Sequence, residues 1–256
     1  FYKNPEGETF REIYDNMMKN RKFIEWEKSM NNEIEIEGMG KIKFEKLIDN
    51  NKNLQGIPIK NSKYLKTISY KELNKLIDNN YIFLLLPKRN RIRIFETMPI
   101  NLISKYRYDV FIKYYYVQAY ITKNSYDLAK EIYLNHIKSF NNFTEPDGRK
   151  NSPKDFIRNF NDLIDNIKSI GIGKTIIPVT KNGEIIDGAH RLSIALYLNL
   201  KIQFVIFDLL DANYGRSFFV SRGFDSEYVK IIDSEVVRKI KWRKKTIQRF
   251  LLFYVL

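Results

Sequence analysis

Ile176-Ile177-Pro178-Val179-Thr180-Lys181-Asn182-Gly183-Glu184-Ile185-Ile186-Asp187-Gly188-Ala189-His190-Arg191-Leu192-Ser193-Ile194-Ala195-Leu196 is the stretch on which the fold turns. Ile176 to Thr180 and Glu184 to Ile186 are β-branched runs, and Asn182-Gly183 between them is a two-residue hairpin signal. Gly188 permits a sharp backbone turn, and Leu192 to Leu200 is apolar at helical spacing. The pattern predicts strand, tight turn, strand, glycine loop and helix, with the helix opening at Ala189 to Arg191. Its N–H groups and positive dipole end then face the loop, where His190 and Arg191 add donors, so the loop reads as an anion site. The same spacing fits a second reading, a hairpin leading into a core helix capped by Asp187. One glycine does not decide between them.

Ile177-Pro178-Val179, then Gly183-Glu184-Ile185-Ile186-Asp187-Gly188-Ala189-His190-Arg191-Leu192, resembles the signature of the ParB/sulfiredoxin superfamily. Members share a strand, a glycine turn, a second strand and a G-x-x-R loop that opens a helix. Phe156 to Gly171, an amphipathic helix ending in Ser169-Ile170-Gly171, fits that layout. The likeness covers roughly residues 140 to 208, about a quarter of the chain, and leaves the first half unexplained. Sulfiredoxins carry Gly-Gly-Cys-His-Arg with a cysteine nucleophile. Here Ala189 stands at that place and the chain has no cysteine, which excludes that reaction. Partitioning ParB proteins carry Gly-Glu-Arg-Arg for a nucleoside triphosphate, ahead of a helix-turn-helix. Gly188-Ala189-His190-Arg191 keeps the first Gly and last Arg, and the 48 residues after Asp208 are too few for the usual DNA-binding and dimerisation parts. The kinase-like branch, such as the free-serine kinases, is similar to Asp-Gly-x-His-Arg, which Asp187-Gly188-Ala189-His190-Arg191 matches. The resemblance therefore implies phosphoryl transfer.

In kinase-like members an acidic residue upstream of the glycine loop serves as base for the acceptor hydroxyl. Asn141 to Pro153 is turn-rich and charged, and offers Glu145 and Asp147 for that role. A carboxylate suits it because it accepts the hydroxyl proton as the oxygen attacks phosphorus. Arg149 and Lys150 can neutralise charge on the transferring group. The plainer reading is a solvated loop whose Asp147-Gly148 makes a turn and whose Ser152-Pro153 caps the next helix. On the resemblance, Gly188, Ala189, His190 and Arg191 hold nucleotide phosphates, His190 donates to the transferring group, and Asp187 orients the loop or a Mg²⁺ ion. ATP or another nucleotide and Mg²⁺ are the implied cofactors, Mg²⁺ from phosphate chemistry rather than from a ligand cluster.

A chain of 256 residues allows one large domain or two small ones, and 44% hydrophobic residues argue for a folded protein. Seventeen Tyr and eighteen Phe supply large packing groups. The lack of cysteine removes disulfides and thiolate metal sites and suits a reducing cytoplasm, the expected location. No apolar signal region follows Phe1, and an opening residue other than Met fits a segment of a longer chain. The net charge of +14 attracts nucleic acid, anionic lipid or phosphorylated substrates. Its spread along the chain favours a solvated basic surface over a nucleic-acid patch.

Elsewhere, Gly7 to Met30 reads as an amphipathic helix and Glu33 to Phe44 as a hairpin turning at Gly38 and Gly40. Tyr70 to Asp78 reads as a short helix with Leu73, Leu76 and Ile77 inward, and Tyr81 to Leu86 as a buried strand ended by Pro87. Lys88 to Phe95 alternates Arg with Ile, as a basic strand face for a polyanion or, more commonly, a charge-protected edge strand does. Leu102 to Tyr120 and Ser125 to Phe140 read as two long aromatic helices, in which Arg107-Tyr108-Asp109 and Tyr114-Tyr115-Tyr116 serve the core or a stacking platform. His136 in the second helix reads as structural or exposed. Lys201 to Leu210 continues as a strand, and the arginines of 213–216 and 221–225 cover the site or lie in surface turns. Val236 to Leu256 is basic and then apolar, too short to span a bilayer, and reads as a helix that packs back or lies on a membrane surface or partner.

The expectation is an α/β protein: a ParB/sulfiredoxin-like C-terminal domain behind a helix-rich N-terminal accessory region. Residues 1–95 form a mixed accessory region, 96–210 the aromatic helices with the superfamily domain, and 211–256 a basic, partly apolar extension. The expected activity is a nucleotide-dependent kinase acting on a hydroxyl of a small metabolite or a sugar. The layout also resembles superfamily proteins encoded among bacterial surface-polysaccharide genes, which points to a polysaccharide precursor as acceptor. The alternatives are a ParB-like nucleotide-gated DNA-binding protein and a nuclease.

Overall fold

The computed structural model describes residues 33–36, 40–43, 62–77, 83, 86, 88–104, 106–145, 150–209, 211 and 214–235. The helix expected over Gly7 to Met30 and the extension 236–256 lie outside these. β1 (Glu33–Ile36) and β2 (Gly40–Lys43) pair antiparallel, Ile34 opposite Ile42, as the alternating pattern requires.

The main sheet is built from β3 (Lys63–Ile68), β4 (Ile92–Thr97), β5 (Ile176–Thr180) and β6 (Ile202–Phe207) in the order β3-β4-β6-β5. β3 with β4 and β4 with β6 are antiparallel, whereas β5 with β6 is parallel. The fold is thus α/β with a mixed four-stranded sheet, and the sheet takes strands from both sides of residue 95. β4 is interior, not an edge, which corrects the edge-strand expectation. Its alternation holds, with Ile92 and Ile94 buried and Arg93 exposed, because one face of the sheet meets the core and the other meets water. All five residues of β5 are buried. Ile176 packs with Ile94, Val205 and Phe207 on one side, while Ile177 and Val179 pack with Leu192 and Phe204 on the other.

Between β3 and β4 lies α1 (Tyr70–Asn74), closed by a capping box of Ser69 and Glu72, with Leu73 fully buried. The strand expected over Tyr81 to Leu86 is not what the described residues show. Phe83 is helical, and the Leu86 N–H donates to the Phe83 carbonyl at 3.1 Å, a turn spacing that a strand cannot make.

A 3₁₀ turn (Pro99–Leu102) follows β4, and only then does α2 (Tyr108–Thr122) begin, six residues later than the periodicity suggested. α3 (Tyr126–Asn141) and α4 (Pro153–Ile170) follow. α4 starts as expected at Ser152, whose hydroxyl accepts the Asp155 N–H at 3.3 Å, with Pro153 behind it. Its buried face, Phe156, Phe160, Ile164 and Ile167, keeps the 3.6-residue period. α5 (Ala189–Leu198) joins β5 to its parallel neighbour β6, and α2 and α4 pack on it. α6 (Arg216–Val220) and a helical segment over 226–235 close the far side, where Phe218, Phe219 and Ile232 pack on Tyr108, Phe111 and Ile112. The tyrosine run serves this core: Tyr114 and Tyr116 are buried, and Tyr116 stacks on Phe160 with ring centroids 5.0 Å apart.

Candidate functional site

The site is built on the turn between β5 and α5. Asn182-Gly183 turns the chain with Gly183 at φ 87°, and the Thr180 N–H donates to the Glu184 carbonyl at 2.8 Å. The second strand of the hairpin shrinks to one antiparallel bridge, Val179 with Ile185, and the Ile186 N–H donates to the Pro178 carbonyl at 2.8 Å. The chain leaves the sheet there because Gly188 follows in the left-handed region, φ 91° and ψ 20°. A Cβ at Gly188 would lie 3.2 Å from Ile177 Cγ1, so both the backbone angle and the close approach require glycine. α5 opens at Ala189, with no side-chain cap on its first turn. That leaves its dipole end facing the loop, as the sequence predicts.

Asp187, Gly188, His190 and Arg191 are half-buried, while Ala189 is buried. Asp187 and His190 are largely enclosed by the protein yet each keeps a solvent-touching edge. Burial pushes the Asp187 carboxyl up, opposed by the Gly188 N–H and by Arg107, Lys113 and Lys150. The Gly188 amide, expected to hold a phosphate, is thus turned toward Asp187. His190 is held well below its ordinary value by burial, then by Lys113 and Lys150, and is a neutral imidazole at pH 7. Its Nε2 is 2.9 Å from the Tyr133 hydroxyl, and Phe160 meets its ring edge-on at 4.6 Å. Burial and then the Glu145 charge push the Tyr133 phenol well up, so it stays protonated. In the tautomer where Tyr133 donates to Nε2, Nδ1 carries the ring proton.

The upstream loop comes to the same place. Lys150 Nζ donates to Glu145 Oε1 at 2.8 Å and sits 5.1 Å above the Phe156 ring. Glu145 acts on Tyr133, and Lys150 acts on His190, Asp187 and Lys113. The Glu145–Lys150 ion pair therefore contributes to the electrostatics of Tyr133, Asp187 and His190 although the sequence separates them. Asp147 and Arg149 lie outside the described residues.

Three charged groups at this site carry no motif. Arg107 grips Asp109 in a fork, Nε to Oδ1 and Nη2 to Oδ2 both at 2.9 Å, and Nη1 donates to the Ile185 carbonyl. Lys113, one turn along α2, donates to Asp109 Oδ2 at 2.9 Å. The three are 4%, 4% and 5% exposed. Burial alone would raise the Asp109 carboxyl, but the Arg107 and Lys113 charges overcome it and hold it far below the usual carboxylate range. Through Ile185 this cluster fixes the segment that leads into Asp187-Gly188. The signal was a charged residue at each of 107, 109 and 113 in an otherwise apolar helix start, positions where a helix of the core tolerates charge only when it is paired.

Glu184 is also buried, with its carboxyl pushed up to about 7 by burial against the opposing Ser104 and Arg107 contacts. His136, expected to be structural or exposed, is buried. Tyr214 stacks on Arg107 at 5.3 Å. Arg216 pairs with Asp233 at 3.0 Å, and Arg222 donates to the Phe140 carbonyl at 3.1 Å, so the downstream arginines hold the fold together. Among the described residues no three His, Asp or Glu side chains gather as a metal cluster. None of the described helices is long and apolar enough to cross a membrane. No protein-family profile matches the chain, and neither a curated protein nor a solved structure is significantly similar to it.

Proposed function

We propose that this chain is a nucleotide-dependent phosphotransferase of the ParB/sulfiredoxin type, passing a phosphoryl group to a hydroxyl of a small metabolite or a sugar or polysaccharide precursor. The observation that carries the reading is the uncapped start of α5, which bears half-buried Asp187, His190 and Arg191 and feels the charge of Lys150 from the loop before α4. A helix end with adjoining cations is suited to nucleotide phosphates, and a nearby carboxylate is suited to accept the proton of an attacking hydroxyl.

In this reading the amides of Ala189 to Arg191 and the Arg191 guanidinium hold the phosphates. His190 Nδ1–H and Lys150 face the transferring group. The acceptor oxygen attacks the γ-phosphorus, its proton passes to Glu145 or Asp147, and the bond to the leaving diphosphate oxygen breaks. Mg²⁺, when bound with the nucleotide, supplies charge neutralisation across the phosphates. Asp187 fits it, because a carboxyl strained by burial gains from a cation and Mg²⁺ needs only one or two protein carboxylates. The nuclease alternative asks for a denser carboxylate cluster than the described residues hold. The test is ADP formation from ATP with Mg²⁺ over pooled hydroxylated acceptors. Acceptor-dependent ADP from the wild type, lost in His190→Ala, supports the reading. A protein that binds ATP but turns over none of the acceptor classes contradicts it.

A further inference from the structure

The arginines before and along β4 are not explained by edge protection, because β4 lies inside the sheet and β3 is the edge. The register shows which face the charge occupies. Arg93 stands opposite Thr67, and Phe95 stands between Tyr64 on β3 and Phe204 on β6. Directly opposed residues share a face, so these five side chains lie on the face of the sheet that carries α5. Leu192 and Ala195 of α5, with Leu102, cover the Phe204 end, and Phe204 is fully buried. The β3 end is left to solvent: Arg93 is exposed, Phe95 is half-buried and Tyr64 is 52% exposed.

The aromatic rings form a ladder across three strands. Phe204 and Phe95 stack with centroids 5.5 Å apart, and Tyr64 meets Phe95 edge-on at 6.1 Å. Residues three apart on a regular strand point to opposite faces, but an irregularity between Tyr64 and Lys66 brings Tyr64 onto the face of Thr67. Their hydroxyls are then 3.0 Å apart, which fixes the Tyr64 ring while it stays half in water. A bulge that turns a large ring outward gives up burial, and bulges are used to re-aim side chains at functional positions. Lys63 and Lys66 flank Tyr64 on the edge strand and Arg91 precedes β4, all three exposed. The nearby carboxylates are engaged elsewhere: Glu72 accepts the Ser69 N–H at 2.7 Å, and Glu96 pairs with Lys201 at 3.3 Å.

We propose that the outer β3–β4 face is a docking surface for single-stranded nucleic acid, in which a base stacks on the Tyr64 ring while Arg91, Arg93, Lys63 and Lys66 hold the flanking phosphates. A pre-ordered aromatic ring ringed by cations is what an unpaired base and its backbone match. A duplex would use the cations and leave the ring idle, because its bases present no free π face. An acidic polysaccharide offers the charge without the bases. β3 and β4 have six residues each, about 20 Å of strand, so the surface takes a segment of a few nucleotides. None of these side chains belongs to the α5 site, and the surface stands or falls independently of the phosphotransferase reading.

Fluorescence anisotropy of labelled oligo-U and oligo-dT of about 12 nucleotides, titrated with the whole chain over about 50–200 mM salt, tests this. The expected result is saturable binding of at least one strand. Tyr64→Ala weakens it about fivefold or more at an unchanged salt slope, whereas Arg93→Gln lowers the slope by about 0.7, one phosphate contact. Both residues are at the surface, and an unchanged urea midpoint shows that each variant is folded. If Tyr64→Ala loses the fold, Arg93→Gln decides by its slope. Absence of saturable binding, wild-type affinity in folded Tyr64→Ala, or an unchanged slope in Arg93→Gln overturns the proposal. So does equal affinity for heparin or for a duplex of the same length, which would reduce the surface to its charge.

Discussion

Replacing Asp109 with Asn is the most severe conservative change the fold offers. The amide keeps the carboxylate's shape, yet it removes the one negative charge shared by Arg107 and Lys113, which lie 2.9 Å away on either side. Both cations are 5% exposed or less, so neither recovers its hydration by a side-chain rotation. Removing one partner of a buried ion pair costs about 3–5 kcal/mol, against about 5–15 kcal/mol of total stability for a folded domain. Urea unfolding followed by circular dichroism should therefore show the midpoint falling by about 1–2 M, at a slope of roughly 2–3 kcal/mol per M. The pH dependence gives a second reading of the same physics. Burial already lowers the Lys113 ammonium, and Asp109 opposes that lowering. In the variant the folded state binds this proton less tightly than the unfolded state does, so stability rises with pH through the range between the two values. Asp109→Asn combined with Lys113→Met should lose less than the sum of the single losses, because the two share one interaction. A midpoint shift under about 0.3 M for Asp109→Asn, less than about 1 kcal/mol, would refute the buried cluster.

Gly188→Ala forces an L-residue to φ 91° and sets a methyl group 3.2 Å from Ile177 Cγ1. The left-handed angle costs about 1–2 kcal/mol, so the melting temperature should drop by about 2–8 °C, and an unchanged value would contradict the loop geometry. Glu184→Gln reports on the carboxyl raised to about 7. A raised carboxyl contributes stability that is complete below its unfolded value near 4.5 and is lost as pH rises through about 7. At about 1.4 kcal/mol per tenfold, the variant should gain up to about 3 kcal/mol over the wild type at pH 8 and little at pH 4, measured as paired urea midpoints. Equal gains at both values would remove the titration as the cause.

The β5–α5 unit was legible because its signals are local. Asn182-Gly183 dictates a hairpin turn, Gly188 dictates a left-handed residue, and the apolar spacing after Arg191 dictates a helix on a buried sheet. Ser152-Pro153 announced α4 for the same reason. What stayed hidden depends on contacts far along the chain. The interior place of β4 follows from pairing with β6, more than a hundred residues later, and no edge or interior signal is written in its Arg–Ile alternation. The α2 start moved from Leu102 to Tyr108 because Pro99 begins a 3₁₀ turn and Arg107 is drawn to Ile185. The glycine motif supplied half of the candidate site. Arg107 and Asp109 read as serving the core or a stacking platform, and Lys113 carries no signal of its own, because the ion pairs and the Ile185 contact that join them arise only in three dimensions.

The central claim is that the start of α5 binds nucleotide phosphates, and calorimetry with ATP, ADP and CTP in the presence of Mg²⁺ tests it most directly. Saturable binding of at least one nucleotide by the wild type is expected, weakened at least tenfold in both His190→Ala and Arg191→Ala while each variant stays folded. No binding of any of the three nucleotides by the folded wild type would contradict it, and the loop would then be a structural turn between β5 and α5.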